Sequence, residues 1–310
     1  MVGVRVAPDG YDVVVWKLDD SGAPFVNSST SINILPSSNL TTLSGSVLLQ
    51  QPSLFAATGI NSCVQFTGNQ SGSPRNFISG ANTVQPQAPV SFSCWLFLRN
   101  YNNTASTQHL WVKQTTTGVW SGSTFASVEI QTRGFAGQPM QFDAFVLPTS
   151  GSTPLIPVEN TIPLNTWTHT AVTWDGTTQL VYVNGNNVAS ASSTGPIVYG
   201  GGGPWFFGAI PSGSGAPEES SISICDFRIA NIVRPQSYFQ NIYQSGILNA
   251  GAISLITQYY KMRAYDLSCR RPFPVYWVDT AVNYNNAPAP PCGGPLGPIE
   301  IVEVFPILNG

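Results

Sequence analysis

The fold is decided by residues 165–190, which read NTWTHTAVTWDGTTQLVYVNGNNVAS. Two dipeptides in this stretch, Asp175-Gly176 and Asn184-Gly185, are typical of tight hairpin turns, because their residues readily adopt the positive φ angles that such turns require. The stretch therefore predicts two β-strands and the turns that pin them.

The residues between the two turns alternate as a strand does. Leu180 and Tyr182 point to one face, and Gln179, Val181 and Val183 point to the other. The hairpin also carries a large aromatic surface, contributed by Trp167, Trp174 and Tyr182. Because a two-stranded ribbon is only marginally stable in water, a second layer must cover that surface, which predicts a β-sandwich.

The same stretch resembles the central signature of laminin-G-like domains, which have a concanavalin-A-like jelly-roll fold. The matching positions are Trp167, His169, Ala171 to Gly176, Leu180, and Tyr182 to Gly185. The resemblance implies an all-β protein with two antiparallel sheets. The family is functionally broad, so function must be argued from a site.

Further segments extend the resemblance over roughly residues 12–245. They are the strand at Asp12 to Gly22, the strands at Gly59 to Gly68 and Pro89 to Asn100, the aromatic strand at Trp205 to Ala209, the closing strand at Ser221 to Ile229, and a short helix at Pro235 to Tyr243. We therefore expect an N-terminal arm at 1–11, the sandwich at 12–245, and a C-terminal extension with a proline-rich docking tail at 246–310.

The closing strand changes its buried face partway along. Ile222 and Ile224 share one parity, whereas Phe227 and Ile229 share the other. A β-bulge would explain this switch, and so would burial of both faces.

Composition excludes several classes of protein. Only 9% of the 310 residues are charged and the net charge is −3, so no basic face for nucleic acid is expected. No run approaches 18 apolar residues, and residues 1–12 lack the apolar centre of a signal peptide, so we expect neither membrane insertion nor export. The scarcity of charge fits a surface covered by neighbours in an assembly, and it equally fits a neutral, hydroxyl-rich surface.

The five cysteines form no CxxC pair and no zinc-site spacing. Cys94 and Cys225 lie within predicted strands and are interpreted as buried thiols. Cys63 lies in the predicted strand at residues 59–68. Cys269 and Cys292 flank the proline-rich tail, where they either clip it or remain reduced.

An enzyme of this fold needs a pair of carboxylates. Related jelly-roll glycosidases carry Glu-x-Asp-x-x-Glu on one strand, and none of the six glutamates here begins that motif. The nearest substitute is Glu129 with Asp143, across a predicted hairpin of residues 128–133 and 140–147. They share a polar row with Gln131, Arg133 and Gln141. Such a row is either an acid–nucleophile pair or a solvated or polar contact face, and we predict no catalytic residue.

His169 belongs to the family signature and is predicted to be a hydrogen-bonded scaffold residue.

The resemblance places calcium ligands at Asp19, Asp20, Asn27 and Asp226, but Asn27 and Cys225 replace two acids of the family pattern. A calcium site that lacks two of its charges would bind weakly, and we predict no cofactor and no metal ligand.

Glycan binding would use exposed aromatic side chains that stack on sugar rings. The candidates are Tyr101, Trp120, Tyr199 and Trp205, with the polar neighbours Asn102, Asn103 and Gln114. The alternative is that Trp120 and Trp205 belong to the sandwich core, which we favour for Trp205.

These patterns favour a non-catalytic virion structural protein, a capsid decoration or a tail component, that resembles bacteriophage proteins with displayed lectin-like domains. Its C-terminal tail would bind other virion proteins or a second copy, through strand addition by Glu300 to Phe305. A glycan-binding adhesin for host surface polysaccharide is the alternative, and a glycoside hydrolase is a third. The expected location is the virion, after assembly in the host cytoplasm.

Overall fold

We describe a computed structural model. It covers residues 7–29, 38–53, 62–68, 76–99, 107–115, 126–133, 141–150, 156–159, 162–192, 194–209 and 221–247. All of them belong to the first of the two units into which the chain divides, Met1–Asn249. The second unit, Ala250–Gly310, lies outside the described residues, and so do the tail prediction and its strand at Glu300 to Phe305.

The described residues form strands and one helix. The strands are β1 (Asp12–Trp16), β2 (Leu40–Ser44), β3 (Val47–Pro52), β4 (Ser62–Thr67), β5 (Phe77–Gly80), β6 (Val90–Leu98), β7 (Thr107–Gln114), β8 (Ala126–Arg133), β9 (Gln141–Val146), β10 (Pro148–Ser150), β11 (Ile156–Glu159), β12 (Trp167–Trp174), β13 (Thr178–Val183), β14 (Asn186–Ser192), β15 (Thr194–Ile197), β16 (Trp205–Phe207) and β17 (Ser221–Ala230). Helix α1 spans residues 236–247. Within the described ranges, this helix does not have the length and apolar character needed to cross a membrane.

The strands form two large antiparallel sheets, which confirms the predicted sandwich. The first sheet has the order β14-β13-β12-β6-β17-β4-β3, and β1 also pairs with β17. The second sheet has the order β11-β9-β8-β7-β16-β5-β2, and β10 pairs with β15 separately. Sequence-distant strands such as β6 and β17 are therefore central neighbours, as in a jelly roll.

The hairpin predicted from residues 165–190 is present. β12 pairs with β13 from Thr170 opposite Val183 to Trp174 opposite Gln179. Asn184 and Gly185 both have positive φ, 53° and 78°, as the predicted tight turn requires. The hairpin therefore forms from local signals in the sequence.

The core between the sheets is built around Phe227. Its ring lies 5.0–5.6 Å, between ring centroids, from those of Trp16, Trp111, Trp205 and Phe207. These contacts are edge-to-face or stacked, which are the favoured arrangements of aromatic rings. Trp205 is fully buried in this cluster, which confirms the interpretation of Trp205 as a core residue.

A second apolar layer lies on the opposite face of the first sheet, beneath α1. Of the three aromatic residues in the opening hairpin, only Trp174 lies between the sheets. Trp167 packs beside Trp95 and Ile242, and Tyr182 packs against Phe239 of the helix. The first sheet is thus covered on both faces, which explains why β6 carries large side chains of both parities.

The switch of parity in β17 is a β-bulge. The register of β17 against β6 shifts between Cys225 and Arg228, and Asp226 between them has a φ of 53°. All ten residues of the strand are also buried, so both of the proposed explanations hold. The bulge lets β4 pair with the first half of one edge of β17 and β1 with the second half.

Gly185 fits against the helix so closely that no side chain is accommodated. A Cβ atom there would lie 2.6 Å from the Cα of Gln240, and the φ of 78° is itself unfavourable for alanine. We expect Gly185→Ala to lower the free energy of unfolding by about 2–3 kcal/mol, measured by urea denaturation.

Gly176→Ala is the matched control for that variant. Gly176 also has a positive φ, 103°, but its Cβ would make an ordinary contact of 3.7 Å with Ala88. We expect a loss of about 1 kcal/mol from backbone strain alone. Equal losses in the two variants would show that the contact between the turn and α1 contributes nothing.

Candidate functional site

A polar row lies on the face of the second sheet that points away from the core. Val128 and Ile130 of β8 belong to the core between the sheets. Glu129 and Gln131 alternate with them along the strand and therefore point to the other face. Asp143 lies directly opposite Gln131 on β9. The structure therefore confirms that Glu129, Gln131 and Asp143 share a row, as the sequence predicts.

Both carboxylates in this row are buried and engaged. Glu129 Oε1 contacts His109 Nδ1, and Asp143 Oδ2 accepts a hydrogen bond of 3.1 Å from Gln131 Nε2. Glu129 is 2% exposed and Asp143 is 1% exposed. Of the alternatives that the sequence left open, a solvated face is wrong for these two residues and a polar contact face fits them, because both carboxylates are closed to water and bound by protein groups. The side chains of Arg133 and Gln141 lie outside the described residues.

His109 also belongs to this row, although no motif in the sequence connects it with Glu129. It reaches the row because β7 pairs with β8 and places His109 opposite Gln131. β7 ends at Gln114 and β8 begins only at Ala126, so a two-residue turn signal in the sequence does not set the register between them. Only alternation along β7 hints at its position.

This geometry does not suit glycoside hydrolysis. An acid–nucleophile pair must reach the two sides of a sugar linkage. Here each carboxylate is directed to a neighbouring side chain and is closed to solvent. The arrangement holds three strands together by buried polar contacts.

Asn27, one of the positions where the resemblance places a calcium ligand, is engaged with protein groups. Asn27 joins strand β1 to the segment at residue 38: its Oδ1 accepts from the backbone N–H groups of Val15 and Ser29, and its Nδ2 donates to Val13 O and Ser38 Oγ. Among the described residues, no group of three or more His, Cys, Asp or Glu side chains is arranged to hold a metal ion.

Asp226 belongs to an ion cluster that joins β1, β17 and the segment before α1. Its Oδ2 accepts from Nη2 and Nε of Arg228, at 2.8 and 3.1 Å. Arg228 also faces Asp12 at 3.6 Å, and Asp12 accepts a hydrogen bond of 2.9 Å from Arg234. Burial raises the pKa of Asp12, against the opposing attraction of the two arginines. The cluster fastens the first strand of the sandwich to its last.

Arg234 also holds residues before β1. Its guanidinium makes a two-pronged contact with Asp9, with hydrogen bonds of 2.8 and 2.5 Å, and lies over the ring of Tyr11. The hydrogen bond from Arg234 lowers the pKa of Asp9, more than the partial burial of that carboxyl raises it. Arg234, which follows the last strand, thus binds residues that precede the first strand.

His169 is a scaffold residue, as predicted, and its ring is packed between aromatic side chains. Its ring packs against Trp95 and Phe239 at centroid distances of 5.2 and 6.0 Å. Its Nδ1 has no hydrogen-bond partner among the described residues, while its backbone N–H donates to Asn184 Oδ1. Burial lowers the pKa of His169 to about 3, so the ring is neutral near pH 7.

The predicted sugar-stacking residues are only partly described. Trp205 and Tyr199 are buried, and the hydroxyl of Tyr199 donates to Pro86 O at 2.5 Å. Gln114 is also buried. Neither aromatic ring is therefore an exposed platform. The remaining candidates, Tyr101, Asn102, Asn103 and Trp120, lie outside the described residues.

Two packed antiparallel sheets of this topology define a lectin-like jelly roll. Residues 75–237 match the family model described as the concanavalin A-like lectin/glucanases superfamily, and the chain belongs to this family. No curated protein matches the sequence.

Solved structures share the fold at low sequence identity. The receptor binding domain of botulinum neurotoxin D is 13% identical, with a TM-score of 0.53 over 77% of this chain and 54% of that one. The binding domain of botulinum neurotoxin serotype G gives 13% and 0.52, over 75% and 50%. The binding domain of Paraclostridial Mosquitocidal Protein 1 gives 14% and 0.52, over 76% and 52%. The chain spans about half the length of each of these structures.

Proposed function

We propose that the sandwich is a non-catalytic binding domain that recognises glycans on a cell surface. The family contains lectins as well as glucanases, and the similar solved structures are toxin binding domains. The fold is thus one that serves recognition. Fold alone does not choose between recognition and hydrolysis, so the choice rests on the site.

The observation that carries this proposal is the state of Glu129 and Asp143. They are the nearest substitute that the sequence offers for a catalytic pair, and they are buried against His109 and Gln131. A hydrolase needs its two carboxyl groups open to the sugar linkage. The described residues therefore favour binding without cleavage.

The test measures binding and cleavage on the same sample. The full chain is applied to a glycan array that includes bacterial surface polysaccharides, and each bound glycan is then incubated with protein and analysed by mass spectrometry. We expect retention of selected glycans with no change in their mass. The affinity of a single site is expected to be in the range of about 1 µM to 1 mM, since few contacts bind one sugar chain.

Glu129→Gln is the control for the catalytic alternative. It keeps the size of the side chain that meets His109 and removes its negative charge, so glycan retention should stay unchanged. Shortened oligosaccharides with the native chain and intact ones with Glu129→Gln would overturn the proposal in favour of a glycosidase. If no glycan is retained, and if virus particles that lack the protein still adsorb to the host normally, the result would count against glycan recognition itself.

We further propose that the chain is a structural component of a virion, displayed as a capsid decoration or tail component and anchored by residues 246–310. Two sequence features support this assignment: the low share of charged residues, 9%, and the proline-rich extension that ends in an apolar segment. Copurification with other virion proteins is the expected result. Unaffected assembly after deletion of residues 270–310 would contradict the anchoring role.

A further inference from the structure

Two cysteines of the first sheet lie on neighbouring strands at matching positions. The ladder between β4 and β17 runs from Ser221 opposite Thr67 to Ile224 opposite Val64. One further step in the same antiparallel register brings Cys225 opposite Cys63. Directly opposite residues have Cα atoms about 4.5–5.5 Å apart. That separation falls within the range of about 4.4–6.8 Å that a disulfide spans.

The two side chains also point to the same face of the sheet. Val64 and Ile224 belong to the core between the sheets, so the adjacent Cys63 and Cys225 point to the opposite face. Both belong to the apolar cluster beneath α1, with Trp95 and Ile242. Both are fully buried thiols in the structure.

Cys94 provides a useful contrast within the same sheet. Its side chain lies in the core between the sheets, where its Sγ is 3.5 Å from Thr170 Oγ1. It therefore sits on the other face of the sheet from the pair. Of the described cysteines, only Cys63 and Cys225 are placed for a direct cross-strand bond.

We propose that Cys63 and Cys225 are an oxidation site, which a small disulfide such as oxidised glutathione converts into a cross-strand disulfide between β4 and β17. One protein thiolate attacks the glutathione disulfide and releases one reduced glutathione. The second protein thiolate then attacks the mixed disulfide and releases the other. Two thiol protons and two electrons pass from the protein to the oxidant, so the reaction balances.

Burial decides when this reaction takes place. Burial raises the pKa of Cys63 to about 11, so little of the reactive thiolate exists while α1 covers it. The exchange therefore proceeds while the chain folds, before α1 docks, or during opening of that helix. The bond then fastens β4 to β17 independently of the ladder, which ends at the bulge.

The experiment uses the full chain carrying Cys269→Ser and Cys292→Ser, which removes the alternative pair in the extension. This variant is refolded with oxidised glutathione, denatured, and alkylated to count its thiols; the native chain is mapped in parallel by mass spectrometry without reduction. We expect one thiol in place of three. We also expect a linked pair of peptides that contain Cys63 and Cys225, and a higher urea midpoint than for the reduced form.

Cys94→Ala in the same background is the matched control and should still form the bond, leaving no thiol. Cys63→Ser should prevent it and leave two thiols. Three thiols after oxidative refolding, or a link that involves Cys94, would overturn the assignment. Peptide mapping of the native chain keeps the test informative if a variant folds poorly.

Discussion

Replacing Arg228 with methionine is expected to lower the free energy of unfolding by about 3–5 kcal/mol, because the change leaves the buried carboxylate of Asp226 without its counter-charge. Arg228 is 2% exposed, and its guanidinium lies between Asp226 and Asp12. Burial alone would lower the pKa of Arg228, but the combined attraction of Asp226, Tyr238 and Asp12, with the hydrogen bond to Asp226, raises it above its usual value. The group is therefore charged at every pH at which the protein folds.

The expected loss of stability depends on the two carboxylates that contact Arg228. Asp226 sits at the bulge of β17, and Asp12 sits at the start of β1. Without Arg228, Asp226 loses the two hydrogen bonds that it accepts from Nε and Nη2. Asp12 retains Arg234, so most of the destabilisation is expected at the bulge. Urea denaturation at pH 7 measures the change.

The double variant Asp226→Asn with Arg228→Met is the control for this explanation. Asparagine tolerates the positive φ at position 226 and carries no charge. Removing both charges should recover a large part of the lost stability, since a buried pair contributes little net stability when both members are replaced. If the double variant is less stable than Arg228→Met, an unpaired charge is not the cause.

Acid is expected to destabilise the protein through His169. The unfolded chain takes up a proton on this side chain near pH 6.5, whereas the folded protein does so only near pH 3. Between these values the unfolded state binds more protons, so the free energy of unfolding falls as the pH falls. The slope is about 1.4 kcal/mol per pH unit, and the full range amounts to on the order of 5 kcal/mol.

His169→Phe is the variant that isolates this contribution. Phenylalanine keeps a ring between Trp95 and Phe239 and cannot take up a proton. We expect the native chain to lose stability more steeply than the variant between pH 6.5 and pH 3, in a series of urea denaturations. Parallel pH profiles for the two proteins would show that His169 is protonated in the folded state or that its ring is displaced.

Local signals in the sequence account for much of the fold. Asp175-Gly176 and Asn184-Gly185 predicted the turns, and the alternation from Gln179 to Val183 predicted the strand between them. The pairing of β8 with β9 was also predictable, because a short connection joins strands whose polar residues share one parity. These features depend on backbone preferences and side-chain alternation over a few residues, which the sequence displays directly.

The candidate site was less predictable, because its contacts join residues far apart in the chain. The parity of β8 placed Glu129 and Gln131 on one face, but the burial of that face and the partner of Glu129 required the register between β7 and β8. Likewise, the resemblance assigned Asp226 as a calcium ligand, whereas the pairing of Asp226 with Arg228 depends on a bulge in β17.

What the sequence determined by itself is therefore the class of fold, the turns and the inward or outward direction of side chains along each strand. The tertiary structure decided which outward side chains are covered: Trp167 and Tyr182 lie beneath α1, and Cys63 and Cys225 share a buried cluster there. The physical reason is that a period of two residues fixes a face, but a ladder between distant strands forms only when the whole sandwich closes.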